Sequence, residues 1–217
     1  FKVPEGCKLV GVDASGLELR MLAHYMNHEA YTQQILHGDI HTTNQKLAGL
    51  ENRSQAKTFI YAFLYGAGNE KIGSIVGAGE RKGGQLKKAF LNATPALAGL
   101  INKVQRMSAK GHLSGLDGRR VHVRSEHAAL NTLLQSAGAI VMKKALVIAG
   151  EKLEEYNYPY KLVAQVHDEY QLEVPEEYAK RVGVVVRNAI RQAGRELELR
   201  CPLDGEYMIG DNWSETH

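Results

Sequence analysis

Residues 160–175 read YKLVAQVHDEYQLEVP. Two alternating runs, Leu162 to Val166 and Tyr170 to Val174, meet at the triplet His167-Asp168-Glu169, and Pro175 stops the second. Alternation with a period of two is the mark of a strand with one buried face, and proline does not continue a central strand. The stretch predicts an antiparallel strand pair with a carboxylate at its turn. Near the start of the chain, CKLVGVD (7–13) reads as a short buried strand ending on Asp13. If both belong to one antiparallel sheet, Asp13 and Asp168 meet on its edge although 155 positions separate them.

The segments between are mostly helical. SGLELRMLAHYM (15–26) suits a helix starting near Ser15, and HGDIHTTNQKLAGL (37–50) a loop followed by a short helix. NRSQAKTFIYAFLYGAG (52–68) reads as a strong helix with Asn52 as N-cap and Gly66 near its end. A glycine-rich stretch from Asn69 to Gly84 predicts two short helices, and QLKKAFLNATP a longer one; another runs from about Pro95 to Lys110. SGLDGRRVHVRS (114–125) carries the hairpin signal Asp117-Gly118, and ALNTLLQSAGAIVMKKALVIAGEKL (129–153) reads as a long apolar helix. A helix from about Glu176 to Arg195 and a strand end at Tyr207–Met208 complete an α+β layout.

The 217 residues carry a net charge of +3, compatible with a polyanionic partner but too mild to require one. Arg53, Lys57, Lys71, Arg81, Lys82, Lys87 and Lys88 crowd the first half. Cys7 and Cys201 lie far apart without a CxxC pair and read as free thiols in a reducing cytoplasm. No apolar run approaches the roughly 20 residues that span a bilayer. FKVPEGCK lacks the basic start and apolar stretch of a signal peptide. A cytoplasmic setting without membrane contact is expected. A chain beginning on Phe1 is expected to be a piece of something longer, or a processed product.

Two features point to chemistry. Paired carboxylates on rigid strands can hold the metal ions that phosphoryl transfer needs, since magnesium takes few carboxylates plus substrate phosphates and water. In the helix after Asn52, Arg53, Lys57, Tyr61 and Tyr65 recur every four residues and drift only about 40° per step, so they share one stripe. Two cations and two rings suit a triphosphate flanked by a base. Each feature has an ordinary reading: a strand-terminal aspartate that caps, and an amphipathic helix with a solvated basic edge. Phe59, Ile60, Phe63 and Leu64 supply a core face in either case.

Other signals read as structure. GAGNEKIGSIVGAGERKGG (66–84) lacks the ending of a P-loop and reads as turns between short helices. The pairs His24/His28 and His37/His41 have no carboxylate or cysteine to complete a zinc set. Lys143-Lys144 and Lys87-Lys88 read as solvated faces, and Trp213 as a core plug.

Taken together and in this order, DASGLELRMLAHYM, RSQAKTFIYAFLYGAG and VHDEYQ resemble motifs A, B and C of family A DNA polymerases, the DNA polymerase I class, in its phage replicative branch. The resemblance spans nearly the whole chain and implies a right-hand fold. An antiparallel palm sheet with flanking helices would occupy residues 1–26 and 128–217. A helical fingers subdomain would occupy 27–127, with the motif B helix at 53–66. The thumb, an initial palm segment and the exonuclease domain of the family have no counterpart in this sequence. Weak primer-template binding is therefore expected unless a thumb- or exonuclease-bearing polypeptide, or a processivity factor, supplies the grip.

The same resemblance implies the site. Asp13 and Asp168 match the ligands of two Mg2+ ions, with the Ala14 carbonyl as a further ligand and Glu169 as a supporting carboxylate. Glu18 matches the residue that excludes a ribose 2′-hydroxyl, which points to dNTPs. Arg53 and Lys57 match triphosphate ligands, Lys57 also the proton donor to pyrophosphate, and His41 a further phosphate contact. Tyr61 sits beside the sugar, its Tyr form tolerating dideoxynucleotides, and Tyr65 stacks by the templating pair. His127, Asn131 and Gln135, four apart on one helix, match minor-groove contacts to primer-template DNA, and His167 lies by the primer terminus. The implied activity is template-directed DNA synthesis in replication. Its rivals are a single-subunit RNA polymerase, which Glu18 and the HDE triplet oppose, a metal-dependent nuclease, which has no need of the stripe, and a non-catalytic half of a split polymerase.

Overall fold

The computed structural model describes residues 2–217. In chain order the elements are β1 (Cys7–Ala14), α1 (Leu17–Met26), α2 (Glu29–His37), α3 (Ile40–Ala48), α4 (Arg53–Leu64), α5 (Asn69–Ser74), α6 (Glu80–Ala93) and α7 (Pro95–Ser108). The hairpin β2 (His112–Ser114) and β3 (Arg120–His122) follows, then α8 (Ala129–Glu155), β4 (Lys161–Val166), β5 (Glu169–Pro175), α9 (Ala179–Glu196), β6 (Gly205–Gly210) and α10 (Trp213–Thr216). They form two compact units. One runs to Met21 and resumes over Ala137–His217; the other is Leu22–Ser136.

The first unit is built on an antiparallel sheet of order β4-β5-β1-β6. Cross-strand partners share a face. Val12 stands opposite Tyr170 and Tyr207, while Asp13 stands opposite Glu169 and Glu206. The face of Val12, Tyr170 and Leu172 is buried. On that side α9 lies so close that a Cβ at Gly183 would meet the Tyr207 ring. The other face carries Gly11, Glu169 and Gln171 and is covered by α10: a Cβ at Gly11 would sit 2.3 Å from the Thr216 carbonyl oxygen. A glycine inside a strand often marks such a backbone approach.

In the second unit Asn52 caps α4 by accepting from the Gln55 amide, and Ala56, Phe59, Ile60, Phe63 and Leu64 form its buried face, as the pattern predicts. Phe59, Phe63 and Phe90 pack with ring centroids 5.3–5.9 Å apart. Each such pair adds about 1 kcal/mol beyond its buried area.

Four expectations change. The polar segment EAYTQQILH is helix α2, which its weak apolar period hides; His28 caps it through a bond from the Tyr31 amide. The second short helix of the glycine-rich stretch is the first part of the longer α6. Its glycines serve close packing as well as turns, since a Cβ at Gly83 would lie 1.8 Å from the Asn69 carbonyl oxygen. Over Glu126–Glu155 the chain is long and apolar enough, by length and composition, to cross a membrane, yet 56% of its apolar 18-residue stretch is buried inside the protein. A helix buried around most of its girth reads apolar on all sides. Lys87 is half-buried rather than solvated and donates to the Ala67 carbonyl, and Lys144, likewise half-buried, pairs with Glu196 at 2.6 Å, whereas Lys88 and Lys143 are exposed.

Candidate functional site

β1 carries Asp13 to the end of the sheet, where the Ala14 amide donates to the Asp168 carbonyl at 2.9 Å. Val166 pairs with Glu169, so His167 and Asp168 form the two-residue loop of the β4–β5 hairpin. Tight hairpin loops favour positive φ, and His167 supplies it at 51°, a costly conformation for a non-glycine residue. The two aspartates predicted from distant segments thus share one sheet edge.

That edge concentrates negative charge. Burial, then the charges of Asp168, Glu169 and Glu206, push the Asp13 carboxyl up to about 6, with His217 opposing. Burial also raises Asp168, helped by Glu18 and Glu169 and opposed by a bond from its own backbone N–H and by His167. An acidic edge that holds its protons this tightly suits a hard cation, which would relieve the repulsion. Among the described residues no three His, Cys, Asp or Glu side chains form a ready cage. Two carboxylates completed by phosphate oxygens and water are a normal magnesium environment.

Glu169 is only 5% exposed. Its Oε1 accepts from the Trp213 indole N–H at 2.8 Å and from the Gln171 amide, and its Oε2 meets His217 Nδ1 at 2.5 Å. The Thr216 hydroxyl donates to Gln171 Oε1 at 2.8 Å. This carboxylate raises the His217 pKa. Trp213 is therefore a half-exposed donor to Glu169 rather than a core plug. The reading of the sequence missed this C-terminal support; the signal available was Gly11, a glycine inside an otherwise apolar strand.

The second unit presents the cationic stripe. Arg53 and Lys57 are exposed, Tyr61 is half-buried and Tyr65 is 51% exposed. Arg53 Nε pairs with Asp39 Oδ2 at 2.7 Å. Asp39 also caps α3 through the His41 and Thr42 amides, and Arg53 with these bonds holds its carboxyl well below the usual range. His41 lies against Tyr61, ring centroids 6.1 Å apart, with its buried Nδ1 unpartnered. Burial, then the Arg53 and Lys57 charges, lower its pKa against Asp39. Gln135 Nε2 donates to the Tyr65 hydroxyl at 3.2 Å.

Asp13, Ala14, Glu18, His167, Asp168 and Glu169 belong to the first unit; His41, Arg53, Lys57, Tyr61, Tyr65, His127, Asn131 and Gln135 to the second. One placement differs from expectation. Asn131 and Gln135 ride on α8, but His127 sits in the single 3-10 turn Glu126–Ala128 before it, because Ser125 caps that turn.

The model of DNA polymerase family A matches residues 1–215. The chain is 47% identical to the DNA-directed DNA polymerase of Enterobacteria phage T3, over 95% of this chain and 33% of that protein. Identity and both coverages are the same for the DNA-directed DNA polymerase of Escherichia phage T7. The chain thus spans about a third of the length of these relatives. Its fold is similar to that of the POL domain of Pol1 from M. smegmatis, solved with DNA primer-template and dNTP. The TM-score is 0.88 at 21% identity, covering 99% of this chain and 41% of that one. With the strand-borne aspartates and the cationic helix stripe in place, the match over residues 1–215 establishes that the chain belongs to DNA polymerase family A.

Proposed function

We propose that this chain carries out the nucleotidyl-transfer step of template-directed DNA synthesis, extending a primer 3′-hydroxyl with dNTPs. The observation that carries the reading is the pair Asp13 and Asp168, brought to one sheet edge from opposite ends of the sequence. In this reading Asp13 and Asp168 hold two Mg2+ ions, with the Ala14 carbonyl as a further ligand. The ions, when bound, lower the charge on the reacting phosphate and orient the attacking and leaving oxygens.

The chain's own side chains do the rest. Arg53, Lys57 and His41 receive the triphosphate, and Lys57 gives a proton to the departing pyrophosphate. Arg53 must share or leave Asp39 to do so. Glu18 closes the space a ribose 2′-hydroxyl would take, Tyr61 lies along the sugar, and Tyr65 stacks by the templating pair. His127, Asn131, Gln135 and His167 contact the DNA, and Glu169 supports the metal-binding edge.

Primer extension with Mg2+ tests the reading, run on this chain alone and on a polypeptide that joins it to the remainder found in its relatives. Extension of a DNA primer by dNTPs, lost in Asp168→Ala at an unchanged circular-dichroism spectrum, is the expected result. Extension that survives Asp168→Ala would remove the metal assignment, and a preference for ribonucleotides would move the chain to RNA synthesis.

A further inference from the structure

The end of α4 is fastened by a lysine that the reaction itself does not use. Tyr65 is the C-cap of α4; Gly66 follows with φ 77°, and the Ala67 amide returns to the Ala62 carbonyl at 2.9 Å. This is the glycine-terminated helix end in which the residue after the glycine closes the last turn. The Ala67 carbonyl then points away from that turn and accepts from Lys87 Nζ, twenty residues on in α6. Lys87 is half-buried, and burial lowers its pKa. It lines a cavity of about 200 Å³ with Phe63, Leu64, Gly66 and His127. A Cβ at Gly66 would approach the His127 carbonyl oxygen to 3.1 Å.

A lysine on a helix surface gains most by reaching water, because its ammonium is strongly hydrated. Lys87 instead gives up part of that hydration to hold a backbone carbonyl, and a bond from a charged donor is stronger than a neutral one. The bond fixes the turn to which Tyr65 is attached.

We propose that Lys87 is a positioning residue for nucleotide selection: by clamping the Ala67 carbonyl it holds the turn after α4, and with it the Tyr65 ring, in the orientation that checks the templating pair. This rests on the polymerase reading above. It assigns Lys87 no contact with nucleotide or DNA, which separates it from the solvated lysine, Lys88, beside it.

The test uses the full-length protein and the variants Lys87→Met, Lys87→Arg, Tyr65→Ala and the double variant K87M/Y65A. Single-nucleotide insertion gives kcat/KM for the correct and an incorrect dNTP; primer-template affinity is measured against salt. Lys87→Met should lower the ratio of correct to incorrect insertion by about tenfold, as loosened positioning does, with the primer-template affinity and its salt slope unchanged. Lys87→Arg, which keeps a charged donor, should restore most of the ratio. In the Tyr65→Ala background K87M should cost little more, because both act through one ring.

Equal selectivity in K87M and the parent protein, or fully additive losses in the double variant, would overturn the proposal. So would a salt slope lowered by about one, since that change marks a lost phosphate contact. Where K87M is too unstable to assay, Lys87→Gln against Lys87→Arg carries the same comparison. Failure of the unsubstituted protein to extend a primer would instead refute the polymerase reading.

Discussion

At the residue scale, the acidic edge sets function against stability. Burial, then the charges of Asp168 and Glu169, raise the Asp13 pKa, and burial with Glu18 and Glu169 raises that of Asp168. Removing one charge relieves that repulsion and, on the proposed reading, removes a metal ligand together. Asp13→Asn is expected to raise Tm in metal-free buffer at pH 7.5 while lowering primer extension by at least about a thousandfold, roughly 4 kcal/mol of lost transition-state stabilisation. Calorimetry and extension on the same sample check both signs. Trp213→Phe keeps the ring but leaves buried Glu169 one donor short. A loss of about 1–2 kcal/mol is expected in urea unfolding. No loss would mean that Gln171 and His217 suffice. The sequence showed the two aspartates and the triplet that holds Asp168, because each sits at the end of an alternating run. It did not show the Trp213 bond to Glu169, because a contact across 44 positions follows no period.

At the element scale, the strands and the strongly periodic helices were legible. The bounds of β1, α4 and the β4–β5 hairpin follow from apolar alternation, a capping asparagine and a terminating proline. α2 was not, since its stability comes from a histidine cap and tertiary packing rather than from its own pattern. The docking of α10 depends on Gly11, where a Cβ would meet both the Thr216 carbonyl at 2.3 Å and Gln171 Nε2 at 2.6 Å. Neither neighbour can yield without breaking the support of Glu169. Gly11→Ala should cost about 2–3 kcal/mol, as overpacked sites do, by lifting α10 from the sheet. The chain has one tryptophan, on that helix, so the event can be read directly. Trp213 emission should shift to the red under native conditions. Unchanged emission would mean the strand, not the helix, absorbs the clash.

At the scale of the whole molecule, the class of fold was legible because a sheet whose strands come from both ends of the chain leaves the middle to form a second unit. Where the units divide inside α1 and α8 was not, since a continuous helix carries no boundary signal. The balance of charge also acts on the whole molecule, through pH. An acid whose folded pKa exceeds its unfolded value binds protons better when folded. Its contribution is therefore fully present below about pH 4, the unfolded value, and is lost as pH rises through the folded one. Asp13, raised to about 6, is such a group. Asp204 has the opposite sign: bonds from Arg191 and Arg187 hold its carboxyl well below the usual range. Its contribution is present above about pH 4 and lost as pH falls further. Metal-free protein should thus gain stability as pH drops from 7.5 to 5, by about 1 kcal/mol once the exposure of Asp13 to solvent is allowed for. It should lose stability again below pH 4. Thermal melts in a chelating buffer from pH 3 to 8 measure this, and Asp13→Asn should flatten the upper limb while leaving the lower one. A parent and variant with the same slope between pH 5 and 7.5 would place the titration on another group. On the proposed reading magnesium in excess should flatten the same limb in the parent, because a cation held at that edge would take the place of the proton.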